Sequence, residues 1–198
     1  MFEVERKQLA NLCRMLYGKG ILAGSEGNVS LRTASGEIVL TPSSRHKGLL
    51  QPEDMLVTNV DGTLVEGSGR VTKEYSLHRM IYETRPDVGC IIHAHPVFGC
   101  VYAIMGEAMP ENYLLQMKLM VGSTAVADYA PAGSKELVEA VRPFAADHDA
   151  IILRNHGLLI CGKDGEDALC RAETAENIAH SSILAELMGR QKNMPEVY

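Results

Sequence analysis

A chain of 198 residues is long enough for one substantial core, and its 46% hydrophobic and 22% charged residues suit a globular protein in water. A formal charge of −6, 5% aromatics and no tryptophan argue against the basic face and stacking platforms of a nucleic-acid binder. No apolar run reaches the roughly 18 residues of a membrane span, and the N-terminus, MFEVERKQLANL, lacks the apolar stretch of a secretory signal. A soluble cytoplasmic protein is expected.

Apolar positions at Val4, Leu9, Leu12, Cys13 and Leu16 predict an amphipathic helix over residues 3–17, ended by Gly18 and Gly20. Short strand-like runs follow at VSLR, EIVLT, MLVTN and TLVE, with Asp61-Gly62 as a hairpin signal between the last two. A second helix is expected over 73–84, stopped by Arg85-Pro86. Then come the strand VGCIIHAH, a short helix after Pro96, a strand around STAVAD and a helix from Ser134 that Pro143 ends or kinks. The buried strand DAIIL leads through RNHG into LLICG. A last helix over 164–188 carries Ala168, Ala172, Ala175, Ile178, Ala179, Ile183 and Leu187 at three- and four-residue spacing. The pattern is one domain over 1–198, a sheet covered by helices. The five cysteines are odd in number, form no CxxC pair and read as reduced, buried small hydrophobes.

His93 and His95 end the strand GCIIHAH two residues apart, so strand alternation sends both imidazoles to one face. HxH alone is short and fits two structural histidines equally well. His156 adds a third imidazole at another strand end, flanked by Asn155 and Gly157. Three neutral imidazoles leave a zinc ion its double charge and an open position, the arrangement of a catalytic site. His46, His78, His148 and His180 lack such company and read as structural or solvated. Glu74 heads the helix before the HxH strand. Alone it is a favourable acid in a helix first turn; its place one element before the metal strand makes it a candidate proton carrier. Ser25, Gly27, Asn28 and Ser30 in SEGNVS, and Ser43, Ser44 and Arg45 in TPSSR, offer hydroxyls, amides and turn N–H groups suited to an anion, although each segment alone is ordinary turn chemistry. Thr72 and Lys73 place a hydroxyl and an ammonium directly before Glu74.

In order, GNVS, TPSS, TKE–LH, HAHP and NHG resemble the class II aldolase/adducin family, from about residue 8 to about residue 187. The resemblance implies a three-layer α/β/α sandwich on a mainly antiparallel central sheet, and a homotetramer with active sites at subunit interfaces. It implies Zn2+ on His93, His95 and His156, and Glu74 as the acidic catalytic residue, in a desolvated setting that raises its pKa. It also implies a phosphate pocket at Ser25, Gly27, Asn28, Ser43, Ser44 and Thr72. The implied reaction cleaves a ketose 1-phosphate, of the L-fuculose-1-phosphate type, to dihydroxyacetone phosphate and an aldehyde. Lys73 departs from that aldolase pattern, which has serine there, and looks more like the members that decarboxylate a 3-oxo-tetronate phosphate. Epimerases of the family have aspartate at the position of Glu74. Tyr113, with Tyr198 second, is the candidate for the tyrosine that a neighbouring subunit supplies as proton donor. Adducin-like interaction modules lack the metal residues that are present here.

Overall fold

Eight strands form one sheet in the computed structural model, which describes residues 1–195. They are β1 (Asn28–Arg32), β2 (Ile38–Leu40), β3 (Leu56–Thr58), β4 (Leu64–Glu66), β5 (Cys90–Ala94), β6 (Thr124–Ala127), β7 (Ala150–Leu153) and β8 (Gly157–Gly162). The helices are α1 (Glu3–Gly18), α2 (Tyr75–Thr84), α3 (Val97–Met105), α4 (Lys135–Val141) and α5 (Gly165–Leu187). The sheet order is β4-β3-β2-β1-β5-β8-β7-β6, and every neighbouring pair is antiparallel except β6–β7. Each strand and helix read from the sequence has its counterpart. Their order across the sheet follows from no local pattern.

Strands β5, β7 and β8 are buried along their whole length, which is why they read as continuous apolar runs. Alternation divides them between two cores. Cys90, Ile92 and Ala94 of β5 pack with Leu9, Leu12 and Leu16 of α1, Tyr102 of α3, and Ala172 and Ile178 of α5. Ile91 packs on the opposite face with Leu77, Met80 and Ile81 of α2 and Leu137 and Val141 of α4. The result is three layers, helices on both faces of a mostly antiparallel sheet.

Two helices, α4 and α5, start at side-chain caps. Ser134 Oγ accepts from Leu137 N at 3.1 Å, and the Asp164 side chain accepts from Asp167 N at 2.9 Å. The small-residue stripe of α5 lets it lie close on β8: a Cβ on Gly162 would stand 2.4 Å from the backbone nitrogen of Ala168. Pro143 falls in a 3-10 turn, Arg142–Phe144, that ends α4. A π turn over Met117–Val121 has no counterpart in the sequence reading.

All five cysteines are free. Cys13, Cys90 and Cys161 are buried, as expected, and Cys100 is half-buried; Cys170 is exposed. Cys170 lies two residues from both Ala168 and Ala172, so the helical period turns it away from the stripe that meets the sheet.

Candidate functional site

Antiparallel pairing of β1 with β5 sets Asn28 directly opposite His93. Gly27, one residue earlier, has φ +70°, and a Cβ there would stand 2.6 Å from the His93 carbonyl oxygen and 2.7 Å from Leu22 Cδ2. Only glycine lets the SEGNVS turn press against the histidine strand in this way. His156 follows Asn155, whose φ of +54° turns the chain sharply between β7 and β8. Gly157 permits the same closeness on the other side: its Cβ would meet the Ala94 carbonyl oxygen at 2.5 Å and His95 Cδ2 at 2.6 Å.

These turns bring three imidazoles together. The ring centroids of His93 and His95 are 4.8 Å apart, those of His93 and His156 4.7 Å, and those of His95 and His156 5.2 Å. One ligand nitrogen from each lies within 4.8 Å of the other two. His93 Nδ1 sits 2.9 Å from the Leu158 carbonyl, to which it donates, and this fixes the tautomer with a lone pair on Nε2. Burial, with the neighbouring His93 and His156, pulls the His95 pKa down to about 4; burial and His93 lower that of His156. Neutral imidazoles with free lone pairs are the form that binds a cation. His93 Nε2, His95 Nδ1 and Glu74 Oε1 are buried atoms without a hydrogen bond. The donor set and these orphaned atoms fit a divalent metal ion.

Glu74 reaches this group because His93 shares a face of β5 with Ile91, the face that α2 covers. It is the residue flanking α2, which begins at Tyr75, two residues later than the sequence pattern suggests. Its Oε2 lies 3.3 Å from His93 Nε2 and its Oε1 3.3 Å from His156 Nε2, while Asn28 Nδ2 donates to Oε2 at 3.0 Å. The expectation of a raised pKa is reversed. Burial does push the carboxyl up, but the His93 and His156 imidazoles, where protonated, and the Asn28 amide together outweigh it and hold Glu74 at about 2. At neutral pH it is a carboxylate, ready to accept a proton rather than to donate one.

A cleft opens beside this group, lined by Ser25, Gly27, Asn28, Pro42, Ser43, Ser44, Lys47, Thr72 and Glu74. Thr41 joins its two loops, since Thr41 N donates to the Val29 carbonyl at 3.0 Å and Val29 N donates to Thr41 Oγ1 at 3.2 Å. Ser44 is held at φ +59°, an uncommon conformation for a residue with a side chain. Thus Ser25, Gly27, Asn28, Ser43, Ser44, Thr72 and Glu74, from three separate segments, share one cleft. Lys73 does not join them: it is exposed, and its Cβ and backbone pack against Gly133. Tyr113 stands beside Glu186 of α5 and Tyr102 of α3, apart from the cleft and the histidines. Tyr198 lies outside the described residues. Lys47 lines the cleft without having been singled out from the sequence.

Two of the remaining histidines make contacts of their own, away from the three clustered imidazoles. His78 is buried with Nδ1 2.7 Å from Ser30 Oγ, and burial first, then His93, lowers its pKa to about 3. His180 stacks on Phe98 at 3.7 Å between ring centroids, next to Glu176, whose carboxylate accepts from Phe98 N and Gly99 N and so caps α3.

The sequence profile described as Class II Aldolase and Adducin N-terminal domain matches residues 7–183. The chain belongs to this family. It is a metal-dependent carbon–carbon lyase of the class II aldolase type. An L-fuculose phosphate aldolase of Methanocaldococcus jannaschii is 34% identical over 181 residues, covering 91% of this chain and 97% of the relative. A 3-oxo-tetronate 4-phosphate decarboxylase of Escherichia coli is 24% identical, covering 88% and 84%. Among solved structures, an L-fuculose 1-phosphate aldolase superposes with a TM-score of 0.89 at 27% identity, covering 96% of this chain and 90% of that one. No helix among the described residues is long and apolar enough to cross a membrane.

Proposed function

We propose that this enzyme cleaves a ketose 1-phosphate of the L-fuculose 1-phosphate type to dihydroxyacetone phosphate and an aldehyde, with zinc as its metal. The observation that carries the reading is the adjacency of two chemistries. Asn28 and Glu74 line the hydroxyl-rich cleft, and Glu74 also contacts two of the three clustered imidazoles. A phosphate held by Ser25, Asn28, Ser43, Ser44, Thr72 and the turn amides around Gly27 then sets the reacting carbons at the histidines. His93, His95 and His156 would hold the ion; three imidazoles favour zinc, which when bound supplies Lewis acidity for a carbonyl oxygen. Glu74 takes a proton from the hydroxymethyl carbon of dihydroxyacetone phosphate in the addition direction and returns it in cleavage.

Decarboxylation of a 3-oxo-tetronate 4-phosphate is the second reading, favoured by the relatives of that name. A product assay of the zinc-loaded enzyme on a panel of ketose 1-phosphates and 3-oxo acid phosphates separates the two. Dihydroxyacetone phosphate plus an aldehyde is the expected outcome. Carbon dioxide without cleavage of any ketose phosphate would move the assignment to the decarboxylase.

We also propose that the cytoplasmic enzyme is a homotetramer in which Tyr113 of one subunit serves the histidines of another as proton donor. Supporting this, Tyr113 stands clear of its own chain's site, and Leu114 and Leu119 nearby are exposed, Leu119 at 71%. Mixed oligomers of Glu74→Gln and Tyr113→Phe chains are expected to recover part of the activity that each lacks alone. A fully active species of 21.6 kDa in sedimentation would remove the interface site.

A further inference from the structure

Among the described residues the anion cleft has one cation in its lining, and that residue is almost fully buried. Lys47 is 1% exposed. Its Nζ donates to the carbonyl oxygens of Ser25 at 2.8 Å and Arg45 at 2.9 Å, one from each of the cleft's two loops. Its backbone nitrogen donates to the Gly24 carbonyl at 2.7 Å, which ties the loops together again. An ammonium carries three N–H donors, so two carbonyls leave one unused. Among the described residues no carboxylate forms an ion pair with it. Arg45 pairs with Asp54 at 2.9 Å, and Glu74, the acid in the cleft lining, is engaged by Asn28, His93 and His156. Arg70 reaches Ser43 Oγ only from the exposed rim, at 3.3 Å. Burial depresses the Lys47 pKa, as it does for a cation kept from water without a counterion.

A buried, unpaired charge is costly, and two neutral carbonyls orient an ammonium without neutralising it. The cleft around it is rich in hydroxyl and amide donors, and the protein carries a net charge of −6. Among the described residues, Lys47 is the cation in the cleft lining that a dianion would meet, with Arg70 at the exposed rim. We propose that Lys47 is the charge-bearing residue of the phosphate subsite, its third N–H facing a phosphomonoester while the other two hold the loops in place. The proposal rests on the phosphate-holding role given to the cleft under the proposed function, not on which bond is cleaved.

Replacing Lys47→Met keeps the unbranched stem and removes the charge. Titration calorimetry of the metal-loaded variant with inorganic phosphate is expected to show affinity weakened by at least about tenfold, the scale of one charge-assisted hydrogen bond. On a phosphorylated substrate the loss is expected in KM more than in kcat. Undiminished phosphate affinity in the folded variant overturns the proposal. If Lys47→Met does not fold, a wild-type crystal soaked in phosphate decides: a phosphate oxygen about 2.8 Å from Nζ supports the assignment, and a phosphate seated elsewhere ends it. Because the ligand is inorganic phosphate, a failed aldol assay and a failed Lys47 test are distinguishable.

Discussion

Glu74→Gln is expected to fold normally and to lose turnover by about a hundredfold or more, equivalent to about 2.7 kcal/mol of transition-state stabilisation. Glutamine has the same shape and still accepts from Asn28 Nδ2, so the cleft wall that the pair forms survives. What disappears is the base. The native carboxyl is held at about 2 against the pull of its own burial, so it is almost wholly ionised at neutral pH. An amide cannot take the proton in its place. The step itself is read from exchange of the hydroxymethyl proton of dihydroxyacetone phosphate with deuterated water, without any aldehyde present. Exchange at the native rate in the variant would assign the proton transfer to another group and leave Glu74 as a helix-flanking acid with a structural pairing.

The sequence made the histidines legible because the chemistry there rests on the shortest structural period. Two residues apart on a strand means one face, and His93 and His95 need nothing more. His156 needed β8 beside β5, a neighbour relation that no local pattern encodes, and was reached by analogy between two strand ends. For Glu74 the position was legible and the electrostatics were not. A buried carboxyl reads as one with a raised pKa until the imidazoles that face it are known. Lys73 and Lys47 exchange roles for a related reason. The residue beside the proton carrier along the chain packs against Gly133 and stays exposed, while the lysine in a polar loop is buried. That burial is tertiary: the 3-10 turn Lys47–Leu49 docks on α1 so closely that a Cβ on Gly48 would stand 2.6 Å from the Tyr17 ring. The role proposed for Tyr113 is a third kind of case, since a role across a subunit interface would leave no trace in one chain's contacts.

Removing the metal is expected to abolish turnover, by at least about a thousandfold if the ion contributes several kcal/mol of charge stabilisation. The fold is expected to persist, because the site is held open by bonds that do not involve an ion. His93 is anchored through Nδ1 to the Leu158 carbonyl, and the turns carrying the other two histidines are set by Gly157 and Asn155. With their pKa values lowered, His95 and His156 are neutral at pH 7 and do not repel one another. Chelated protein should therefore keep its circular dichroism spectrum and regain activity when zinc is restored. His95→Ala separates the ligand from the scaffold, since no hydrogen bond of the His95 ring holds the fold. Elemental analysis of that variant is expected to fall from about one ion per chain to nearly none, with turnover lost alongside. The pH dependence has a fixed sign. Protons compete with the ion for the imidazole lone pairs, so affinity falls with acid; with His95 at about 4, the competition at that ligand sets in well below the ordinary histidine range. Full turnover in chelated wild-type protein would sink the metal mechanism, and unchanged metal content in His95→Ala would take His95 out of the ligand set.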